Sequence, residues 1–427
     1  MPCRANKVPV FSNVKNHIEG PSRFSPLWPH LVTGAPALSP FLPAEHYDCV
    51  VVGAGITGCS TALHLAEKGA RVCVLDAAWP GAGTSGEANG QVMADLNLSP
   101  KTIMRLYGYT RAERILRASN AAPRLVFDLI NRHGIACDLV QSGWIEASPW
   151  RRSARSVEKR VAGWRALGAP IEMLDARALE KLIGSRTYRT GLIDFRGGTL
   201  NPLAYTQGLA AAVLNAGASI QGAVKVRRLV PGPAKWQIVT DRGHLIADFV
   251  VVATNAYTSQ LVPGLRHPVI CLYGVQSATA RLPSEFRSVL PGRQGVSDVR
   301  KRFFRWSPDG RLIVGGPGGL WAPASSRSLV FRWIEHSLRR VFPELREIPF
   351  EHHWVARGAA AADLLPRLYE PAPRLLVALG FAGRGIAMGT ALGCTMANRI
   401  AGADPGAFDF PISSPSLPWG LAGLYRT

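Results

Sequence analysis

The chain has 427 residues, which is enough for two packed domains, and 47% of them are hydrophobic, so a globally disordered protein is excluded. The formal net charge of +20 would suit a polyanionic partner, but the basic residues are scattered and no aromatic-interleaved basic motif accompanies them. Nucleic-acid binding is therefore disfavoured, and a field that attracts small anionic ligands is the better interpretation.

The first 45 residues form an extended, Pro-rich segment that contains no apolar run long enough for a signal-peptide core. The most hydrophobic later stretch, 375–401, carries Arg384, Arg399 and several glycines, which makes it a poor transmembrane span. We therefore expect a cytoplasmic protein without a membrane span. The seven cysteines show no C-x-x-C or zinc-like spacing, so we expect neither disulfides nor a metal site.

From Tyr47 the chain reads YDCVVVGAGITGCSTALHLAEKGARVCVLD, which predicts a buried strand, a glycine turn, a helix and a second strand. Gly53 permits the tight turn, Gly55 lets the backbone approach a pyrophosphate, and Gly58 permits close packing of helix on strand. Asp76 lies 18 positions after Gly58, where a carboxylate can accept hydrogen bonds from both ribose hydroxyls and would repel an NADP 2′-phosphate. The pattern predicts a dinucleotide-binding βαβ unit.

After this unit, helical and strand patterns alternate, and no tandem repeat is present. The predicted elements, in chain order, are helices over 103–118 and 122–133, a strand over 144–146, an exposed basic helix over 152–167, a helix over 201–214, strands over 218–224, 236–239, 244–247, 249–253, 269–280, 301–306 and 311–314, a helix over 330–342, a strand over 375–379 and a final helix. The alternation predicts an α/β fold, in which a Rossmann-type domain is interleaved with an α+β domain built on an antiparallel sheet.

Four further blocks follow the first glycine turn: Ser85-Gly86 with Asn89-Gly90-Gln91, GGTLNP at 197–202, VATNAY at 252–257 and GRGIAM at 383–388. In this order the blocks resemble the D-amino-acid oxidase-like superfamily of FAD-dependent amine oxidoreductases, and within it the γ-glutamylputrescine oxidoreductase-type members, over about residues 26–403. The resemblance implies a discontinuous FAD-binding domain of residues 46–95, 191–265 and 351–403, a substrate domain of residues 96–190 and 266–350, and a tail of residues 404–427.

The resemblance also implies that Ser85, Gly86 and Gln91 lie in a loop beside the flavin ring, and that residues 383–387 contact its pyrimidine end. A helix that starts at residues 383–387 would stabilise the negative charge of a reduced flavin. The expected cofactor is non-covalent FAD. The expected cofactor-binding residues are Gly53, Gly55, Ile56, Thr57, Gly58, Asp76, Ser85, Gly86, Gln91, Val224, Ala253, Thr254, Gly383, Arg384, Gly385, Ile386 and Ala387.

Arg357 is the first candidate for binding an anionic group of the substrate, because a guanidinium offers a bidentate fork to a carboxylate. A surface salt bridge is the alternative interpretation. Arg305 and Tyr273 are further candidates, whereas His352 and His353 are expected to be structural. Two departures from the family pattern leave the substrate open: Glu87 stands where relatives have a cation, and Val355-Ala356 replaces smaller or Thr-Pro residues.

The resemblance implies FAD-dependent oxidation of a C–N bond of an amine or amino-acid-like substrate, by hydride transfer to the flavin. The product is an imine that hydrolyses, and oxygen or another acceptor re-oxidises the cofactor. No obligate protein acid or base is needed, because the cofactor supplies the electron sink. Two alternatives stay open: a non-catalytic or specialised FAD-binding subunit of a larger oxidoreductase complex, and a nicotinamide-dependent dehydrogenase, which would not explain the carboxy-terminal glycine loop.

Overall fold

A computed structural model describes residues 24–262, 265, 269–321 and 328–413, so the expected N-terminal segment and C-terminal tail lie partly outside the described residues. The α-helices are α1 (Ile56–Ala66), α2 (Thr84–Glu87), α3 (Pro100–Tyr107), α4 (Tyr109–Arg132), α5 (Ala154–Arg165), α6 (Ala176–Ile183), α7 (Pro202–Asn215), α8 (Leu329–Val341) and α9 (Gly385–Ile400). The strands are β1 (His46–Val52), β2 (Val72–Leu75), β3 (Gln91–Val92), β4 (Trp144–Ser148), β5 (Ile171–Asp175), β6 (Thr190–Asp194), β7 (Gly198–Thr199), β8 (Ser219–Gln221), β9 (Val226–Pro231), β10 (Trp236–Thr240), β11 (Gly243–Val252), β12 (Val269–Thr279), β13 (Gly295–Asp298), β14 (Phe303–Trp306), β15 (Leu312–Gly319), β16 (Phe350–Ala361), β17 (Arg367–Ala372) and β18 (Leu375–Leu379).

The first sheet has the strand order β17-β18-β11-β1-β2-β8, and β9 and β10 extend it beside β11. Strands β1, β2, β8, β11 and β18 are parallel to one another, which is the pairing of a Rossmann-type sheet. The apolar run Val50-Val51-Val52 explains why β1 is central, because a strand covered on both faces needs no polar alternation. Helices α1, α4, α7 and α9 contribute to the core on one face, and the β9–β10 hairpin covers the other.

The second sheet has the order β16-β12-β15-β14-β13-β4-β6-β5. Its pairs are antiparallel except for β13 with β4, so the predicted antiparallel sheet is confirmed with one parallel pair added. Helix α8 covers one face of this sheet, where Phe331, Ile334 and Leu338 pack with Val275 and Val314 in a single core cluster. The α/β class with two interleaved sheets is therefore observed.

Strand pairing places two segments differently from the expected domain boundaries. Strand β6 pairs with β4 and β5, and β16 pairs with β12, so both belong to the second sheet. The boundaries at 191 and 351 put these strands in the FAD-binding domain. Because a strand belongs with the sheet that takes its backbone hydrogen bonds, we propose boundaries near 195 and 362.

Several predicted elements change in extent. The helices predicted over 103–118 and 122–133 are α3 and a single long α4, which continues through Pro123. The basic helix α5 is not fully exposed, because Val157, Val161 and Trp164 are buried. The predicted hairpin is confirmed as β10–β11, and β11 runs on without a break into the predicted buried strand.

Among the described residues, no helix has both the length and the apolarity that a membrane crossing requires.

Candidate functional site

The first glycine turn joins β1 to α1 with little space for side chains. Gly53 has a φ of +104°, and a Cβ on it would lie 3.1 Å from the carbonyl oxygen of Ala253. A Cβ on Gly58 would lie 1.9 Å from the carbonyl oxygen of Gly53, which no side chain can tolerate. The turn therefore needs glycine at both positions, and the N-cap of α1, Gly55, adds no side chain at a helix start where backbone N–H groups can bind an anion.

Asp76 follows β2 and faces the same turn. Its Oδ2 accepts a hydrogen bond from the backbone N–H of Ala54 at 2.8 Å, and its Oδ1 accepts one from Ala78 at 2.8 Å. Burial raises the pKa of Asp76, while these two N–H groups lower it. The backbone carbonyl of Asp76 also accepts from the N–H of Val224 at 2.9 Å. Each carboxylate oxygen keeps a lone pair for a ribose hydroxyl, as the predicted role requires.

Ser85 brings the loop after β2 to the start of α1. Its Oγ accepts a hydrogen bond from the backbone N–H of Ile56 at 3.1 Å, and a Cβ on Gly55 would lie only 2.8 Å from that oxygen. Gly86 is equally confined, because a Cβ there would lie 2.1 Å from the carbonyl oxygen of Gly81. The structure thus brings Ser85, Gly86 and Gly55 together at one helix terminus.

Residues 84–91, which we call the 84–91 loop, contain four consecutive backbone carbonyls that accept hydrogen bonds from side chains of other elements. The bonds are from Gln276 Nε2 (2.7 Å) and Trp354 Nε1 (3.1 Å) to Glu87, from Trp28 Nε1 (3.0 Å) to Ala88, and from Arg305 Nη1 to Asn89 (3.3 Å) and Gly90 (2.8 Å). Because four consecutive carbonyls have fixed donors, the loop presents a rigid surface at the junction of the two sheets.

Gln91 ends this loop, and its side chain is committed to the second sheet. Its Nε2 donates to the carbonyl of Val296 at 3.1 Å, and its Oε1 accepts from Ser297 Oγ at 3.0 Å. Only the backbone of Gln91 is left for the predicted cofactor contact. The two predicted residues after β11 lie near the first glycine turn. Ala253 donates its N–H to the carbonyl of Val52 at 2.9 Å, and the hydroxyls of Thr254 and Thr258 form a hydrogen bond at 2.8 Å.

The second glycine turn lies between β18 and α9. Gly380, Ala382 and Gly383 have φ values of +78°, +48° and +83°, and a Cβ on Gly383 would meet no atom within 4 Å. The Oδ1 of Asn255 accepts from the N–H of Gly380 at 3.0 Å, which ties this turn to the end of β11. The open space around Gly383 leaves room for a ligand at the start of α9.

The remaining predicted residues of this turn form the first turn of α9. Arg384 is its N-cap, and its side chain points away to the buried Asp95, with Nη2 3.2 Å from Oδ1. Gly385 begins the helix, and Ile386 and Ala387 are buried. Backbone N–H groups, rather than the Arg384 side chain, are therefore what this terminus offers a ligand.

Helices α1 and α9 pack closely and run parallel. A Cβ on Gly389 would lie 2.8 Å from Thr57 Oγ1, and one on Gly393 would lie 2.6 Å from the Cβ of Ser60. Ser60 Oγ donates to the carbonyl of Thr390 at 2.8 Å. Both N-termini consequently lie at the same end of the pair, so two helix dipoles converge on one ligand site. Such an arrangement fits a dinucleotide that spans from Asp76 past α1 to Gly383.

Arg357 and Tyr273 are brought together by strand register, because they are directly paired between β16 and β12. The guanidinium of Arg357 also lies over the ring of Tyr257, 4.9 Å from its centroid, and Nη2 donates to Cys271 Sγ at 3.9 Å. Its Nε is buried without a hydrogen-bond partner among the described residues. Thr84 Oγ1 donates to the carbonyl of Arg357, so the cluster borders the 84–91 loop.

The sequence did not predict Tyr257 or Cys271, and it marked Glu87 only as a departure. Burial, followed by the nearby charge of Glu87, raises the pKa of Tyr257 to about 12. Burial alone raises the pKa of Glu87 to about 8. The available signal for Tyr257 was its place at the end of a buried strand, directly after Asn255-Ala256, because polar residues after sheet strands often line ligand sites.

Arg305 lies apart from this cluster. Its side chain is 2% exposed, and beyond the 84–91 loop its Nη1 bonds the carbonyl of Leu200 at 2.5 Å. Burial, together with the charge of Arg293, lowers the pKa of Arg305 to about 9. It also lines a cavity of about 210 Å³ with Asp138, Thr199 and Arg293, which none of the predicted cofactor residues borders. The position is that of a backbone anchor rather than of a substrate ligand.

The two histidines earlier in β16 have protein partners. His353 Nε2 lies 2.7 Å from Glu335 Oε1, and His352 Nδ1 lies 3.5 Å from Ser25 Oγ. Val355, the second departure noted in the sequence, packs against the core of the second sheet.

Comparison with known proteins agrees with this geometry. The model of the family described as FAD dependent oxidoreductase matches residues 48–399. The chain is similar to γ-glutamylputrescine oxidoreductase of Escherichia coli (strain K12), at 29% identity over 87% of this chain and 87% of that protein, and to glycine oxidase of Geobacillus kaustophilus, at 23% identity over 89% and 99%.

Two solved structures share the fold. The crystal structure of glycine oxidase from Geobacillus kaustophilus aligns with a TM-score of 0.73 at 20% identity, and the alignment covers 88% of this chain and 100% of that chain. L-proline dehydrogenase from P. horikoshii aligns with a TM-score of 0.72 at 17% identity, covering 85% of this chain and 95% of that one. With its family model matched over most of its length, and with two glycine turns at one end of a parallel helix pair, the chain belongs to the family of FAD-dependent oxidoreductases.

Proposed function

We propose that this enzyme oxidises a C–N bond of an amine or amino-acid-like substrate that carries an anionic group, giving an imine that hydrolyses. The observation that carries the proposal is the Arg357 cluster, in which a partly buried guanidinium borders the 84–91 loop and has no carboxylate partner among the described residues. Relatives named for γ-glutamylputrescine and for glycine support an amine or amino-acid-like substrate.

The cofactor residues take separate parts of FAD. Gly53, Gly55 and the start of α1 would hold the pyrophosphate, and Asp76 would hold the adenosine ribose. The 84–91 loop and the start of α9 would hold the flavin ring. When bound, FAD supplies the electron sink for the oxidation.

The chain's own residues bind and orient the substrate. Arg357 would hold the anionic group as a bidentate donor, and the Tyr257 ring keeps the guanidinium in place. Tyr273 lies beside Arg357 on the neighbouring strand and would close one side of the substrate space. We assign Arg305 to support of the 84–91 loop, because its donors are used on carbonyls.

The alternative is a non-catalytic or specialised FAD-binding subunit of a larger complex, and the two are separated by the flavin's visible absorption. Anaerobic mixing of the holoenzyme with a panel of primary amines, secondary amines and amino acids should bleach the flavin band if the enzyme oxidises amines. A band that no member of the panel changes would favour the alternative.

The role of Arg357 is tested by comparing the Arg357→Ala variant with wild type and with a surface control. Arg357→Ala should keep its flavin and lose most of its kcat/KM for the substrate that bleaches wild type. Arg287→Gln, which changes an exposed arginine, is the matched control and should behave as wild type. An Arg357→Ala protein with full flavin and full activity would remove Arg357 from the site, whereas loss of FAD would give it a cofactor role. We also propose that oxygen or another acceptor re-oxidises the flavin and that the enzyme is cytoplasmic.

A further inference from the structure

Glu87 is a carboxylate that the fold places beside the Arg357 cluster and leaves unpaired. It is the last residue of α2, and its backbone carbonyl is held by Gln276 and Trp354. Its side chain is partly buried and makes no hydrogen bond or ion pair with any described residue. A partly buried carboxylate loses hydration and gains no protein partner in return, so its position calls for a ligand or a function.

Tyr257 links the start of α2 with Arg357: a Cβ on Gly83 would lie 3.3 Å from the Tyr257 ring, and the Arg357 guanidinium lies over that ring. The negative charge of Glu87 raises the pKa of the Tyr257 hydroxyl, and the positive charge of Arg357 lowers it, so both groups act on that hydroxyl. Glu87 and Arg357 nevertheless form no salt bridge with each other. Tyr273 is the other titratable group that acts on the Tyr257 hydroxyl. The site therefore combines a carboxyl group, a guanidinium and two aromatic hydroxyls, and its acid and its base are not paired with each other.

We infer that Glu87 is a specificity-determining residue, whose carboxylate binds the amino group of a zwitterionic, amino-acid-like substrate while Arg357 binds its carboxylate. The inference rests on the proposed function and narrows its substrate class. An ammonium group would supply the charge partner that the protein withholds from Glu87, and a matching carboxylate would do so for Arg357. A carboxylate without the amine would leave Glu87 protonated and without an ammonium partner, and an amine without the carboxylate would leave the charge of Arg357 unpaired.

Binding of the zwitterion would also move a proton. Burial raises the pKa of Glu87 to about 8, so the free enzyme carries this carboxyl group protonated at neutral pH. When an ammonium group binds, the O–H bond of Glu87 breaks, its proton leaves to solvent, and the carboxylate accepts an N–H from the substrate. The same carboxylate can then take the ammonium proton, which gives the neutral amine that C–N oxidation requires.

The experiment uses the FAD-loaded enzyme and a matched set of probes. The probes are the ω-amino acids from glycine to 6-aminohexanoate, each with the carboxylate that lacks its amine and the amine that lacks its carboxylate. Dissociation constants are measured anaerobically from the perturbation of the flavin spectrum, and KM and kcat are measured for probes that are oxidised. The variants are Glu87→Gln and Glu87→Asp, with Glu285→Gln as a control at an exposed glutamate.

Wild type should bind at least one ω-amino acid about tenfold or more tightly than both of its single-charge analogues. Glu87→Gln should weaken the binding of that amino acid and of its amine analogue by about 10- to 100-fold, and it should leave the binding of the carboxylate analogue nearly unchanged. The affinity of wild type for the amino acid should rise about tenfold per pH unit until the pH reaches about 8, and that slope should be absent in Glu87→Gln. Glu87→Asp should recover part of the affinity, and the control should match wild type.

The inference is overturned if Glu87→Gln binds the amino acid as tightly as wild type, or if no amino acid binds better than its analogues. If both Glu87 variants fold but lose FAD, Glu87 belongs to the cofactor site and the inference also fails. If the wild-type enzyme shows the expected binding pattern but no amine reduces its flavin, the proposed oxidation is wrong and amine recognition by Glu87 still holds.

Discussion

The guanidinium of Arg357 lies over the ring of Tyr257, with its Cζ 4.9 Å from the ring centroid. The two residues are a hundred positions apart in the chain, and they meet because β16 and the segment after β11 converge on the 84–91 loop. A cation above an aromatic face is both attracted to the ring and restricted in its rotamers. The pair therefore holds the proposed substrate-binding group in one orientation.

Tyr257→Leu should raise KM for the true substrate by about 2- to 30-fold, because a cation–π contact contributes roughly 0.5–2 kcal/mol. Tyr257→Phe keeps the ring and should stay much closer to wild type. Steady-state kinetics on flavin-saturated protein make the measurement. Equal KM values for all three proteins would show that the ring does not orient Arg357.

Gly393 should be the glycine on α9 that is least tolerant of substitution, because its Cβ would lie 2.6 Å from the Cβ of Ser60 and 2.8 Å from the carbonyl of Thr57. Gly393→Ala should force α1 and α9 apart, lower the free energy of unfolding by about 1–3 kcal/mol and weaken FAD binding. Urea denaturation of the apoprotein and FAD titration measure the two effects.

The matched control is Gly163→Ala on α5, where the nearest atoms to a Cβ belong to Pro100 at 3.5 Å. That substitution should be neutral or stabilising by up to about 1 kcal/mol, since alanine is the better helix former. If the two variants lose stability equally, the close approach of α1 and α9 is not what makes Gly393 necessary.

The sequence predicted the parts of the site that depend on local pattern. The run from Tyr47 to Asp76 fixes strand, turn, helix and carboxylate within one short segment, and all of them lie as expected. The cluster of Tyr257, Cys271 and Arg357 depends instead on the register between β12 and β16, whose paired residues Tyr273 and Arg357 are far apart in the chain.

No local signal sets that register, and β16 itself escaped prediction. Its second half, Arg357-Gly358-Ala359-Ala360-Ala361, contains no β-branched or large apolar residue, so strand propensity is low and long-range pairing decides. Helix α4 differs in the opposite direction, because packing of its buried face maintains the helix through Pro123, where local propensity predicts a break.

Arg305 should prove necessary for the 84–91 loop rather than for the substrate. Arg305→Met removes the donors to Asn89, Gly90 and Leu200 and leaves these carbonyls without that partner, at a cost of about 1–3 kcal/mol for each group left unsatisfied. We expect a lower unfolding temperature and weaker FAD binding, with KM unchanged in the fraction that retains flavin. A raised KM with normal FAD affinity would return Arg305 to the substrate site.

Glu87 should also make the apoprotein less stable as pH rises. Burial raises its pKa from an ordinary 4.5 to about 8, so between these values the folded protein holds a proton that the unfolded chain has released. Stability then falls with increasing pH across that window, and each unit of pKa difference corresponds to about 1.4 kcal/mol before solvent screening is considered. Below pH 4.5 both states are protonated, so this group no longer makes the stability depend on pH.

Glu87→Gln has no proton to lose, so its stability relative to wild type should increase from pH 5 to pH 8.5, by at least about 1 kcal/mol. Urea denaturation midpoints of the two apoproteins at several pH values measure the difference, and Glu285→Gln again serves as the exposed control. Parallel pH profiles for wild type and Glu87→Gln would mean that the Glu87 side chain is solvated. The unpaired carboxylate on which amine recognition depends would then be absent, because a hydrated carboxylate gains much less from an incoming ammonium group.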